Sequence, residues 1–346
     1  MKQIVMTFLL VGVLLSACET DFEVNAPWKE TTIVYGLLDQ STDTQEVVIY
    51  KAFLGPENAY VMAESADSIF YEDGELQVYL FGLDGVDTIQ KIPLVYTLTD
   101  DREDGLFSTD YSVVYTTTEQ LEVSLNYHLW VHNIKTGNIV TSSTKLIEPL
   151  DISFGFTNEV TFYKNSEYRD YYLRWESSKN GLIYQPGLRF YYYEKDLNTG
   201  VVQRNFKDWV FSETSAISTN GGDDMEVKIN GQSFYYFVKN SIEVDNQVQR
   251  INAKELEDGF PESDYWNGGV DFTFVVGGKE IAQYIEINNL PNLVFQDAPT
   301  YTNIENGVGV FSSRLYAVQE GKELDFLSLK ELSTGDITEE LNFLHP

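Results

Sequence analysis

The sequence predicts a mostly β protein, with an N-terminal immunoglobulin-like β-sandwich followed by a second β-rich domain that carries a short helix. Three observations support that expectation. Aromatic residues make up 14% of the chain, with 23 Tyr and 21 Phe, and aromatics together with Val, Ile and Thr suit the half-buried, pleated surface of a strand. Leu121, Val123, Leu125, Tyr127, Leu129 and Val131 alternate with Glu122, Ser124, Asn126, His128 and Trp130, which is the period of two of a strand with one buried face. Turn-forming residues recur at short intervals, as a sandwich of short strands requires.

The N-terminus reads as a leader. Lys2 precedes an apolar run from Ile4 to Leu15, followed by Ser16, Ala17 and Cys18, a charged, apolar and small-residue order typical of a secretory signal. The run is too short for a spanning helix, which needs about 20 residues. Leu15-Ser16-Ala17-Cys18 resembles the bacterial lipobox, which implies a signal peptide over 1–17, cleavage between Ala17 and Cys18, and a lipid on Cys18. Each buried acyl methylene contributes about 0.8 kcal/mol, so two or three chains hold a protein on a membrane essentially permanently. Cys18 is the only cysteine, so no disulfide staples the chain and stability must come from its core. The acidic tether, 18–26, contains Glu19-Thr20-Asp21-Phe22-Glu23, which resembles the export signal that sends Bacteroidota lipoproteins to the outer face of the outer membrane.

Charge narrows the partners. The 54 Asp and Glu against 23 Lys and Arg leave a formal net charge of -31. Binding to a phosphate backbone needs clustered cations, and no such run exists, so no nucleic acid is expected as a partner. Anionic lipid would repel the chain too, which leaves the anchor at Cys18 as its expected hold on the membrane. A hydrophobic content of 43% excludes a disordered acidic tail.

Strands are expected from Thr31 to Leu38, Glu46 to Phe53, Glu75 to Phe81 and Leu121 to Val131. Lys135-Thr136-Gly137-Asn138 then turns the chain into Ile139 to Leu146, closing a hairpin before Pro149. These elements define the sandwich over 27–148. The second domain, 149–346, is expected to pair Asp170–Trp175 with Leu188–Glu194 and to extend that sheet through Val201–Val210. Further strands are expected at Ser233–Lys239, Asp271–Val276 and Gln283–Ile287, with a short helix at Asn252–Leu256 capped by Asn252.

Catalytic and metal motifs are missing. The three histidines are His128, His132 and His345. The first two, four apart on one strand, would stand about 13 Å apart at about 3.3 Å per residue, too far to share a metal. No Gly-x-Ser-x-Gly elbow, His-Glu-x-x-His or phosphate-binding glycine loop occurs, so neither an enzyme nor a cofactor is expected. The acidic loops Asp100–Gly105 and Gly221–Asp224 offer hard oxygens for calcium but lack EF-hand spacing, and they read as solvated turns.

Binding residues are sought among the aromatics instead. Phe190-Tyr191-Tyr192-Tyr193 and Phe234-Tyr235-Tyr236-Phe237 would each place aromatics on both faces of a strand. One face suits the core and the other a ligand or partner, which singles out Tyr191, Tyr193, Tyr235 and Phe237. Asn306, Gly307 and Gly309 mark a place of positive φ or close backbone approach, and with it a second candidate binding segment.

The segment Tyr301-Thr302-Asn303-Ile304-Glu305-Asn306-Gly307-Val308-Gly309-Val310-Phe311, with the lipobox and the early Ile33-Val34-Tyr35-Gly36, resembles an uncharacterised family of Bacteroidota outer-membrane lipoproteins (domain of unknown function 4249). The resemblance implies a lipid-anchored protein at the outer membrane, commonly encoded beside a TonB-dependent receptor. It supplies no catalytic residues. The expected function is therefore non-enzymatic binding of a ligand or of such a receptor; a structural or adhesive surface protein and a carbohydrate-active enzyme are the alternatives.

Overall fold

The computed structural model describes residues 31–52, 69–99, 111–152, 158–256, 259–261, 269–289 and 300–345. The leader, Cys18 and its tether, and the Asp100–Gly105 loop lie outside the described residues. Of the described residues 52% are strand and 13% helix, so the chain is mostly β, as its composition predicts.

The first part of the chain forms β1 (Thr32–Asp39), β2 (Gln45–Lys51), β3 (Leu76–Asp84), β4 (Asp87–Thr99), β5 (Ser112–Thr117), β6 (Asn126–Asn133) and β7 (Ile139–Lys145). The short strands β8 (Glu159–Val160), β9 (Tyr163–Lys164) and β10 (Glu167–Tyr168) follow, then β11 (Tyr171–Glu176), the long β12 (Gly181–Asp196), β13 (Val202–Val210), β14 (Thr214–Ser215) and β15 (Asp224–Ile229). Helix α1 (Gly231–Ser241) leads to β16 (Val248–Ile251) and β17 (Val270–Gly278). Helix α2 (Lys279–Asn288), the 18-residue β18 (Gly307–Leu324) and helix α3 (Phe326–Thr334) complete the chain.

One hydrogen-bonded path runs β13-β12-β17-β18-β1-β2-β5-β4-β3-β6-β7. Its hinge is β4, which pairs with β3 through Leu94 and with β5 from Val95 onward. The first strand and the last long strand meet in parallel, Thr32 opposite Gly307 through to Asp39 opposite Arg314. That contact depends on glycine. Gly309 has φ +116°, and a Cβ there would lie 2.0 Å from the Val34 carbonyl oxygen; no other residue tolerates both.

Two clusters of buried side chains form the core. Val34, Leu38, Val47, Leu80, Tyr127 and Leu129 centre the first, and Trp175, Tyr184, Phe190, Phe234, Phe272 and Phe274 the second. Full burial of each such side chain stabilises by about 1.5–3 kcal/mol. The sequence divides the chain between 148 and 149, yet Ile304 and Phe311 pack in the first cluster while Leu315 and Leu324 pack in the second. The long strand β18 therefore serves both.

Several local expectations are corrected. Residues 233–239 form helix α1 rather than a strand, because Asn230 caps the helix by accepting from the Ser233 N–H at 2.9 Å and the apolar residues Phe234, Tyr235 and Val238 fall on one buried helical face. Residues 283–287 likewise belong to α2. No helix forms over 252–256: the Asn252 side chain instead donates to the carbonyls of Tyr191 and Gly269 and accepts from the Gly269 N–H, so its capping oxygen is engaged elsewhere. The strand 171–176 pairs with β15, not with 188–194. Leu121 to Leu125 form a turn whose Glu122 N–H donates to the Tyr127 hydroxyl at 2.7 Å, and the strand starts at Asn126.

Candidate functional site

Strand β12 sorts its aromatics by parity. Leu188, Phe190 and Tyr192 point into the second core, so Arg189, Tyr191 and Tyr193 share the opposite face. The register extends this division across the sheet. Phe206 and Val210 of β13 lie opposite Tyr191 and Gly187, and Thr273 and Val275 of β17 opposite Gly187 and Gln185. Tyr316 of β18 lies opposite Val275. Phe272, Phe274 and Leu315 fill the core side, whereas Phe206, Val210, Val275 and Tyr316 are 51%, 59%, 43% and 39% exposed. Large apolar side chains aligned on the solvent side of one sheet form the outstanding surface feature of the second core's sheet.

Aromatics and cations interleave on this face. The Arg189 guanidinium lies 4.3 Å from the centre of the Phe206 ring and forks onto Asp208, with Nε–Oδ1 at 2.6 Å and Nη2–Oδ2 at 2.8 Å. Hydrogen bonding to Asp208 holds that guanidinium above its ordinary range, against the opposing effect of burial. Arg204 sits 5.0 Å over the Tyr191 ring and Lys254 5.6 Å over it. Each such contact is worth about 0.5–1 kcal/mol where water has access. The Tyr191 hydroxyl donates to Asp271 Oδ2 at 3.0 Å, and Lys254 Nζ reaches the same oxygen at 2.8 Å. Burial and then the Asp271 carboxylate push the Tyr191 hydroxyl up in pKa. Burial alone would lower Lys254, but Asp271 and Glu320 outweigh it and raise the ammonium.

Both ends of the face are closed. At one, α2 brings Ile281 against Gly277 and Tyr284 edge-on to Tyr35, ring centres 6.4 Å apart. At the other, the chain after β16 crosses over, the Lys254 carbonyl accepting from Arg204 Nε at 2.9 Å. The open strip lies between them.

The residues singled out from the sequence divide accordingly. Tyr191 and Tyr193 do lie on this face, Tyr191 beneath its cations and Tyr193 half-buried. Tyr235 does not: it is fully buried in α1, its hydroxyl donating to the Ser328 carbonyl at 3.1 Å. Phe237 stacks on Trp209, centres 5.1 Å apart, on the core side of β13. Asn306, Gly307 and Gly309 join β18 to its neighbours. Asn306 takes φ 59° and its amide donates to the Ile139 carbonyl, and a Cβ at Gly307 would lie 2.7 Å from the Thr32 carbonyl oxygen. Their chemistry is that of close backbone approach. Arg189, Phe206, Val275 and Tyr316 were not singled out from the sequence; the alternation of β13, Val202 to Val210, carried the signal for Phe206.

Polar features lie elsewhere. His128 lines a cavity of about 370 Å³ with Ser142, Glu280, Tyr301 and Asn303, where Glu280 accepts from Ser312 at 3.0 Å and Thr144 at 3.2 Å. His132 packs on Trp130, ring centres 5.3 Å apart. In the Gly221–Asp224 loop, Asp223 Oδ2 accepts from the Ile217 N–H at 3.0 Å and the Ser218 N–H at 3.3 Å, which makes it a turn-former. Among the described residues no three His, Cys, Asp or Glu are grouped to hold a metal ion, and no helix is long and apolar enough to cross a membrane. No protein-family model matches the chain, and no curated protein matches its sequence.

Proposed function

We propose that this chain is a lipid-anchored lipoprotein of the outer membrane, displayed on the cell surface, that binds a ligand or protein partner without transforming it, as an accessory to a TonB-dependent transporter. The anchor reading rests on Leu15-Ser16-Ala17-Cys18 at the end of a short apolar run. The immunoglobulin-like reading of 27–148 and the resemblance to the Bacteroidota lipoprotein family belong to the same proposal. The observation that carries binding is the open strip of Phe206, Val275 and Tyr316 on a sheet whose other face is core. Exposed aromatics flanked by cations suit protein contact and sugar stacking alike.

Two measurements test the two halves. Cys18→Ser is expected to abolish acyl labelling and leave an uncleaved or soluble precursor, because only a thiol is acylated; a mutant processed and retained on the membrane like the wild type refutes the anchor. Tyr316→Ala with Val275→Ser is expected to weaken capture of the partner in mild-detergent pull-downs, by about 1–2 kcal/mol per hot-spot side chain, with a native circular dichroism spectrum and a stability loss of no more than about 1 kcal/mol for the opposed pair. Undiminished capture removes the face as the binding site.

A further inference from the structure

The open edge of the sheet supports a conclusion about what its Phe206 end meets. Strand β13 ends the hydrogen-bonded path. The other end strand, β7, is flanked by the bridge between Thr141 and Glu305; β13 has no partner beyond β12 among the described residues. The Phe211 N–H donates to the Pro186 carbonyl and the Asp196 N–H to the Val201 carbonyl, each at 2.9 Å. In an antiparallel ladder this parity turns the backbone groups of odd-numbered residues 201–211 towards β12. The N–H and C=O groups of Val202, Arg204, Phe206, Asp208 and Val210 therefore point outward, and all five residues are exposed.

We propose that β13 pairs antiparallel with β13 of a second copy of this chain, about a two-fold axis at Phe206. An isologous contact must be self-complementary, because each residue meets its mirror position in the other copy. The strand Val202-Gln203-Arg204-Asn205-Phe206-Lys207-Asp208-Trp209-Val210 meets that condition. Reversed on itself about Phe206, it sets Val202 opposite Val210 of the second copy, Arg204 opposite Asp208, and Phe206 opposite Phe206. Apolar meets apolar, cation meets anion, and the aromatic lies on the axis. The outward backbone groups fall on these same residues, so the register that matches the side chains also completes the ladder. β13 holds no proline and no bulge in its pairing with β12; of the charges that can guard a free edge it carries Lys207 on the core-side parity, opposite Phe190, and Arg204 and Asp208, which this register sets against each other. In a chain of net charge -31 like molecules repel, and β13, with Arg204 and Lys207 against Asp208, is a stretch of net charge +1 where pairing brings no excess of negative charge together.

The test uses the full chain carrying Cys18→Ser, which removes the only native thiol. Sedimentation equilibrium over about a hundredfold range of concentration should show a reversible monomer–dimer transition. Phe206→Lys places two ammonium groups across the axis and should raise the dimer dissociation constant at least about tenfold; circular dichroism at a concentration where the wild type is monomeric should show that the variant is folded. In this register Asn205 and Lys207 of the second copy form a non-hydrogen-bonded pair with Cβ atoms about 4.5–5 Å apart. Mild oxidation of Asn205→Cys/Lys207→Cys should give a covalent dimer, whereas Asn205→Cys alone should not. A wild-type mass that stays monomeric overturns the proposal, including the case in which the edge takes up an extended segment of a different protein. A dimer that survives Phe206→Lys, or a double-cysteine chain that yields no covalent dimer, overturns this register.

Discussion

Gly309→Ala is expected to be the most damaging single substitution of a small residue in this chain, costing about 3–5 kcal/mol. Two penalties combine. At φ +116° an L side chain is strained, by about 1–3 kcal/mol, and the new methyl would lie 2.0 Å from the Val34 carbonyl oxygen, so β1 and β18 must separate, with overpacking worth about 1–3 kcal/mol more. Separation spreads because β18 carries Phe311 in one core and Leu315 in the other. Gly321→Ala is the control: its φ is +73° and nothing lies within 4 Å of the built Cβ, so only the backbone cost of about 1 kcal/mol should appear. Urea denaturation of both variants measures the difference. Equal stabilities would mean that the β1–β18 contact does not hold the two cores together.

Tyr235→Ala should destabilise by about 3–5 kcal/mol, the range for deleting a fully buried aromatic. Tyr235 lies in α1 among Tyr168, Phe234 and the Ser328 carbonyl, and burial pushes its hydroxyl far above the ordinary tyrosine range. The neighbouring Tyr236 is 49% exposed, and Tyr236→Ala should change stability by no more than about 0.5 kcal/mol. Alternation alone would also suit a strand, so the pair that identifies the helix is Phe234 and Tyr235: both are fully buried although adjacent, and Phe234→Ala should cost about as much as Tyr235→Ala. If Tyr235→Ala kept full stability and lost partner binding, the reading of 234–237 as a binding strand would be restored.

Phe234 to Phe237 shows why part of the sequence was misleading. Aromatic content is the main β signal in this chain, and in that run it outweighed Asn230, a good N-cap, and the i, i+1, i+4 placement of Phe234, Tyr235 and Val238. Helix α2 was missed for the same reason: Ile281, Tyr284, Ile285 and Ile287 have β-favouring side chains, yet the helix packs beside β18 and β12. Local preference is worth tenths of a kcal/mol per residue, and in α1 the burial of Phe234, Tyr235 and Val238 overrides it. The candidate face was legible in part. The alternation of Phe190 to Tyr193 required one outward set, and Tyr191 and Tyr193 proved to be that set; Phe206, Val275 and Tyr316 joined them only through pairing across strands distant in sequence.

The sequence by itself determined the β class, the existence but not the ends of the strands that form over 32–39, 45–51, 126–133, 139–145 and 270–278, and the parity that splits the aromatics of β12. These depend on a period of two and on turn residues, both of which are local. Tertiary structure alone decided that β1 lies beside β18, that one sheet path runs through both cores, and that β13 is left with a free edge. Such pairings join residues hundreds of positions apart. They are set by which apolar faces can be buried together and by where a glycine lets two backbones touch, and neither is written in any short stretch of sequence.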